Sequence, residues 1–134
     1  MLKPVLAALL ALSAHAGGTL EIEVANVMAG KGQLLIGLCK KSEFLTPHCS
    51  HNQSVPASKN PQPIQLTGVP AGEYALQVVY DRNSNYRMDV NNFGAPIEPI
   101  GFSRDAVGKM GPPRFDDARF TFNGQSARLR VHVY

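Results

Sequence analysis

Thr19-Leu-Glu-Ile-Glu-Val-Ala-Asn-Val27 decides the fold class of this 134-residue chain. Leu20, Ile22 and Val24 alternate with Glu21 and Glu23, so an extended backbone here buries one face and wets the other. The two-residue period returns again and again. Gln33 to Cys39 turns Leu34, Ile36 and Leu38 inward, and Glu73 to Tyr80 puts Tyr74, Leu76, Val78 and Tyr80 on one face. The last stretch sets Leu129, Val131 and Val133 against Arg128, Arg130 and His132. Short runs at Ile64 to Leu66 and around Phe120 and Phe122 complete the set, while Lys40 to Pro63, rich in Pro, Ser, Asn and His, reads as irregular. Ala29-Gly30-Lys31-Gly32 and Gly68-Val69-Pro70-Ala71-Gly72 are turns by composition, and Asn123-Gly124 between two alternating runs is a hairpin signal. About seven short strands predict an all-β, antiparallel sandwich of immunoglobulin-like or transthyretin-like type with one long ordered loop.

Two finer expectations follow from this pattern. Pro70-Ala-Gly-Glu-Tyr74 enters its strand as a tyrosine corner does, with the Tyr74 hydroxyl bonding the preceding turn; an ordinary core tyrosine is the other reading. Arg128, Arg130 and His132 form an outward, solvated stripe, and if the first and last strands are neighbours the arginines can pair with Glu21 and Glu23.

The amino end carries its own signal. Met1 to Lys3 give a positive head, Pro4 to Ser13 an apolar run too short to span a bilayer, and Ala14-His15-Ala16 a small-x-small cleavage site. Residues 1–16 therefore read as a secretory signal peptide, with no lipid anchor, and 17–134 as one periplasmic or secreted domain that is not membrane-embedded. In an oxidising compartment Cys39 and Cys49 are expected to form a disulfide, worth roughly 2 to 3 kcal/mol in the chain-entropy picture. The competing arrangement is a soft-metal cluster of those cysteines with His48 and His51.

Formal charge is only +3, and over 81–119 the signs balance, Arg82, Arg87, Arg104, Lys109, Arg114 and Arg119 against Asp81, Asp89, Glu98, Asp105, Asp116 and Asp117. That excludes a phosphate-tracking nucleic-acid surface.

The segment from Asp81 to Ala118 interrupts the β pattern with no periodicity of its own, and loops this long are uncommon unless functional or disordered. Its apolar residues, among them Phe93, Phe102 and Phe115, and its many Gly and Pro predict an ordered cap over one end of the core. Asn92, Phe93, Glu98, Phe102, Ser103, Phe115 and Asp116 are its candidate binding residues. The cap opens with Asp81-Arg-Asn-Ser-Asn-Tyr-Arg-Met-Asp89. Oxygen-bearing side chains at alternate positions can converge on calcium, with Asp81, Asn83, Asn85 and Asp89 as side-chain ligands and the Arg87 carbonyl contributing. Two positions depart from that pattern. Tyr86 stands where a glycine would take a left-handed conformation at no cost, and Asn92 stands where a bidentate glutamate would close the shell, leaving Glu98 to do so only if the chain folds back. A series of Asx turns, in which the same side chains bond their own backbone, is the alternative.

Gly72-Glu-Tyr-Ala-Leu76, Tyr80 to Asp89, Asn92-Phe-Gly-Ala-Pro-Ile-Glu98, Gly101-Phe-Ser103 and Gly111-Pro-Pro-Arg-Phe-Asp-Asp-Ala118 together resemble an exported bacterial family, domain-of-unknown-function family 2141. The resemblance covers nearly the whole chain after residue 16 and is most specific over 72–102 and 111–118. It implies an immunoglobulin-like sandwich and an exported location, and no established activity. Relatives show His before the first Asp of the turn and Gly at two places within it, where this chain has Tyr80, Ser84 and Tyr86.

Three function classes fit these readings. The first is an exported binding or structural module that presents the 81–118 segment to a protein or small-molecule partner, and the second is a domain stabilised by calcium. A small hydrolase using paired cap carboxylates is the third, but Gly101-Phe-Ser-Arg-Asp105 lacks the second glycine of a nucleophile elbow and no zincin motif is present.

Overall fold

The computed structural model describes residues 17–134. The signal-peptide reading of residues 1–16 lies outside the described residues. Eight strands form two sheets: β1 (Gly18–Ala25), β2 (Gln33–Cys39), β3 (His51–Pro56), β4 (Gln62–Val69), β5 (Gly72–Asp81), β6 (Ile100–Phe102), β7 (Phe120–Phe122) and β8 (Ser126–His132). One sheet has the order β4-β1-β8, and the other runs β3-β2-β5-β6 with β7 also on β5. Leu20, Ile22 and Val24 from the first face Leu34, Ile36, Leu38, Leu76 and Val78 from the second, all buried, and Ile64, Leu66 and Val131 close the same core. The all-β sandwich expected from alternation is the observed fold.

Four local expectations are corrected. β3 lies inside the stretch read as irregular; it pairs antiparallel with β2, Leu34 opposite Val55, as a solvent-washed outer strand with Asn52, Gln53 and Ser54 exposed. β6 lies inside the long loop and pairs antiparallel with β5. The Asn123-Gly124 turn does not close a hairpin. β7 pairs with β5 and β8 with β1, so the turn carries the chain from one sheet to the other. The turn residues behave as their chemistry dictates, Gly124 at φ 83° and Asn123 Oδ1 accepting the Gln125 N–H at 2.8 Å. Finally, β1 and β8 run parallel, Thr19 beside Ser126 and Ala25 beside His132, so the sandwich is mainly rather than wholly antiparallel.

That neighbourhood fulfils the charge-pairing expectation. Arg128 Nε lies 3.1 Å from Glu21 Oε1, and Arg130 Nη1 lies 3.9 Å from Glu23 Oε1. Both pairs are exposed and contribute only a few tenths of a kcal/mol each. His132 turns elsewhere: its N–H and its Nδ1 both meet the Asp105 carboxylate at 3.0 Å, which covers the outer edge of β8. The tyrosine corner is present, with the Tyr74 hydroxyl donating to Pro70 O at 2.8 Å. Burial, and next the negative charge of Glu43, hold the Tyr74 phenol above its ordinary pKa.

Cys39 and Cys49 are joined, which overturns the soft-metal alternative because both sulfurs are consumed in the bond. The loop they close is ordered by Glu43. Its Oε1 accepts from Lys40 N–H at 2.8 Å and Ser50 N–H at 2.9 Å, and these donors and the Ser50 hydroxyl hold its carboxyl below the usual range. The same loop delivers Phe44 to a second apolar cluster on the outer face of the larger sheet. There its ring packs edge-on against Phe102 at 5.6 Å and Phe115 at 5.9 Å, beside Ala75 and Ala118.

The 81–118 segment does not lie over one end of the core. β6 holds it against the edge of β5, Ile100 opposite Val79 and Phe102 opposite Gln77, so it runs along that edge from the Asp81 end toward the Gly72 end. Gly101 permits this course, since a Cβ there would run into the His132 carbonyl. A short helix, α1 (Phe115–Ala118), ends the segment and β7 follows, pairing with residues 72–74.

Candidate functional site

β5 ends in Asp81, whose carboxylate is fully buried and bonded three times. Gln33 Nε2 on β2 donates to Oδ2 at 2.8 Å, Tyr86 N–H donates to Oδ2 at 2.8 Å, and Asn85 N–H donates to Oδ1 at 3.2 Å. Gln33 was not among the candidate residues. The signal that could have found it is a polar side chain at a strand position aligned with Asp81 and followed by an apolar run. Gly32, at φ 75°, completes the setting, because a Cβ there would stand 2.8 Å from the Asp81 carbonyl oxygen.

From Asp81 the chain makes a tight polar turn. Asn83 Oδ1 accepts the Asn85 N–H at 3.2 Å and Asn85 Oδ1 accepts the Arg87 N–H at 3.0 Å, which are Asx turns in series. The two amide groups then converge on Asp89, Asn83 Nδ2 donating to Oδ2 and Asn85 Nδ2 to Oδ1, each at 2.8 Å. These amide bonds, Asn85 first, hold the Asp89 carboxyl below the ordinary aspartate range. Ser84 at φ 54° and Tyr86 at φ 64° adopt left-handed conformations in which glycine is favoured.

The chain does fold back, as closure by Glu98 requires. Glu98 is buried, with Oε2 accepting the Arg82 N–H at 2.8 Å and Oε1 the Asp89 N–H at 3.3 Å. Asp81, Asn83, Asn85, Asp89 and Glu98 therefore meet around one turn, and N–H donors occupy their oxygens. The Arg87 side chain is exposed at the rim of the turn. Arg82 lies over the Tyr80 ring, 5.7 Å from its centroid.

Two consequences can be measured. Tyr86→Gly is expected to raise stability by about 1 kcal/mol, because an exposed side chain is exchanged for relief of left-handed strain; urea unfolding that shows a loss instead would contradict it. Acid should loosen the turn. A carboxyl whose folded pKa is depressed contributes stability that is present above its unfolded pKa and lost as pH falls through the folded value, so the contribution of Asp89 begins to fade below about pH 4 and is gone only once the pH has fallen through its lower folded value. The stability difference between wild type and Asp89→Asn is expected to shrink between pH 6 and pH 3, and a constant difference would contradict the assignment.

The remaining candidates separate into exposed and buried. Asn92 and Phe93 sit on an exposed turn, Phe93 being 94% exposed. Asp116 is exposed on α1 beside Arg119, 3.9 Å away. Phe102 and Phe115 are spent in the second cluster, and Ser103 is fully buried, its hydroxyl accepting the Leu76 N–H at 2.9 Å and donating to Ala118 O at 2.6 Å. These three residues are thus withdrawn from the surface that a ligand could touch.

The carboxyl groups with a displaced pKa, Glu43, Asp89 and Asp117, are all displaced downward, the opposite of what a general acid at neutral pH needs. A hollow of about 570 Å³ lies on the far sheet among Glu21, Glu23, Gln65, Arg128 and Arg130, away from the 81–118 segment.

Fold and site together define a small all-β sandwich protein carrying a self-closed polar turn and an ordered excursion along one sheet edge. The family described as an uncharacterized protein conserved in bacteria, DUF2141, matches residues 22–130, and the chain belongs to it. No curated protein and no solved structure matches the chain.

Proposed function

We propose that this is an exported binding module in which the rigid sandwich presents the 81–118 segment to a partner. The observation that carries this is the distribution of exposed apolar side chains. Of the ten large apolar residues that are exposed among the described residues, seven lie in this segment: Tyr86, Met88, Val90, Phe93, Ile97, Val107 and Met110. Water-exposed apolar groups gathered on one excursion, rather than scattered singly, mark a contact surface. Export is supported by the apolar leader and by the Cys39–Cys49 bond, which persists in oxidising compartments. No helix among the described residues is long and apolar enough to cross a membrane.

Site-directed photo-crosslinking in the producing cells tests the proposal. A photoreactive residue at position 93 or 110 should give adducts, and one at position 128, on the opposite sheet, should not. Equal labelling, or none from the cap, would refute it.

A second reading, calcium stabilisation, starts from the one hydrogen-bonded turn that holds Asp81, Asn83, Asn85, Asp89 and Glu98; among the described residues no three His, Cys, Asp or Glu side chains are grouped as a metal site, so calcium would have to draw these together. Calcium would have to displace the N–H donors that occupy these oxygens: the Asn83 and Asn85 amides would give up the Asn85 and Arg87 N–H and turn oxygen inward, Asp81 and Glu98 would give up their own donors, and the Arg87 carbonyl would complete the set. In millimolar calcium the unfolding midpoint of the wild type is then expected to rise by several degrees over its value in chelator, with no rise for Asp89→Asn. An unchanged wild-type midpoint removes this reading.

A further inference from the structure

We propose that the Cys39–Cys49 disulfide is a redox-opened clasp on loop 103–114: closed, it keeps Phe44 across both feet of that loop, and opened by a dithiol it frees the feet while the sandwich stays folded. The inference rests on the reading that the 81–118 segment faces a partner, and it assigns that surface a regulation.

The bond stands apart from the main core. Cys39 ends β2 opposite Ala75, and Ala75 belongs to the outer cluster with Phe102, Phe115 and Ala118. Neither cysteine is among the side chains packed between the two sheets. From Cys39 the chain crosses the outer face of β5, where Gln77 fixes it at two points. Leu45 N–H donates to Gln77 Oε1 at 2.9 Å, and Gln77 Nε2 donates to Thr46 O at 2.7 Å. Cys49 then returns this strap to its start. Phe44 reaches from the strap to the segment, its ring centroid 5.6 Å from that of Phe102 and 5.9 Å from that of Phe115. Those two residues are the feet of the loop that carries Val107 and Met110, both exposed. The Ser103 hydroxyl, donating to Ala118 O at 2.6 Å, ties the same feet. One ring and one hydroxyl thus fix the loop, and the ring depends on a bond that chemistry can reverse.

Closure across ten residues is what stiffens the strap. Without it Glu43 still accepts from Lys40 N–H and Ser50 N–H, but these bonds face water, which competes for each partner. Phe44 then loses its fixed place and the feet lose Phe44. The side chains between the sheets keep all their neighbours. Opening is a thiol exchange. A thiolate of the dithiol attacks Cys49 Sγ, the less buried of the two, and Cys39 leaves as a thiolate that takes up a proton. The second thiol of the reagent attacks the mixed disulfide and releases the Cys49 thiol, so the dithiol is oxidised by two electrons and the cysteine pair reduced by two.

Hydrogen exchange on the oxidised protein and on the protein treated with dithiothreitol tests the idea, with alkylation counting the thiols. On reduction the amides of Leu76, Ala106 and Asp117, all bonded at the feet, are expected to exchange about ten-fold faster, and trypsin to cut after Arg114 correspondingly faster. Amides of β1 should keep their rates. Phe44→Ala, with the disulfide intact, should show the fast rates already when oxidised and change little further on reduction. A bond that dithiothreitol cannot open in the folded protein overturns the proposal, as do equal rates at the feet in the two redox states. Equal acceleration throughout β1 also overturns it, because the bond would then brace the whole sandwich. Should the clasp fail in any of these ways while position 110 still yields partner adducts, the partner-facing reading stands. Oxidised protein without adducts from positions 93 and 110 removes that reading, and with it the regulatory meaning of the clasp.

Discussion

Asp81→Ala is expected to cost about 3 kcal/mol, the largest effect of any substitution in the polar turn. A buried carboxylate that accepts three hydrogen bonds disappears, and Gln33 Nε2, Tyr86 N–H and Asn85 N–H lose their acceptor together. Of these, the Gln33 amide matters most, because it is buried where water does not easily replace the lost partner. Asp81→Asn keeps one acceptor oxygen and should recover part of the loss. Urea unfolding reads both values. A change below about 0.5 kcal/mol for Asp81→Ala would mean that the turn is held by something other than its first residue. The same experiment separates architecture from metal binding, since the loss is expected in chelator as well as in calcium.

The second large effect belongs to Ser103, and it is structural. β6 and β7 share one edge of β5, taking residues 77–79 and 72–74 respectively. Between them the Leu76 N–H has no strand partner. Ser103 Oγ fills that place and donates its own hydroxyl hydrogen bond to Ala118 O, which ties the residue after β6 to the end of the 81–118 segment. Ser103→Ala leaves a buried donor and a buried acceptor unpaired, for an expected loss of about 2 to 3 kcal/mol. Hydrogen exchange should show the Leu76 amide losing protection beyond what the global loss explains. Unchanged protection at Leu76 would count decisively against the splice.

What could be read from the chain follows from the physics of each element. β1, β2 and β5 announce themselves because one face is buried and the period is two. β3 does not: His51, Asn52, Gln53 and Ser54 see solvent as an outer strand, so no apolar alternation marks it. β6 is three residues long and owes its strand character to Val79 and Gln77 across the edge, which local composition cannot express. Asn123-Gly124 turns the chain as its chemistry predicts, but a turn signal says nothing about which strand the next residues will join. At the site, the spacing of Asp81, Asn83, Asn85 and Asp89 was enough to predict a tight polar turn. The return of Glu98 was legible only as a condition, and the reach of Gln33 only once the β2–β5 register is known, since both depend on contacts far along the chain. Nothing local to Phe102, Ser103 or Phe115 separates a binding residue from a packing one; their burial is set by Phe44, Leu76 and Ala118, distant in the chain.

The parallel pairing of β1 with β8 has a kinetic corollary. A chain is synthesised from its amino end, so β1 emerges more than 100 residues before the strand that flanks it at Ser126–His132. Until that strand arrives, β1 has only β4 beside it, and the row of peptide groups on its other side stays open to any extended segment nearby. The smaller sheet is thus the last part of the molecule to be sealed. Shortening the chain by its final nine residues would leave that window permanently ajar, inviting aggregation in place of assembly.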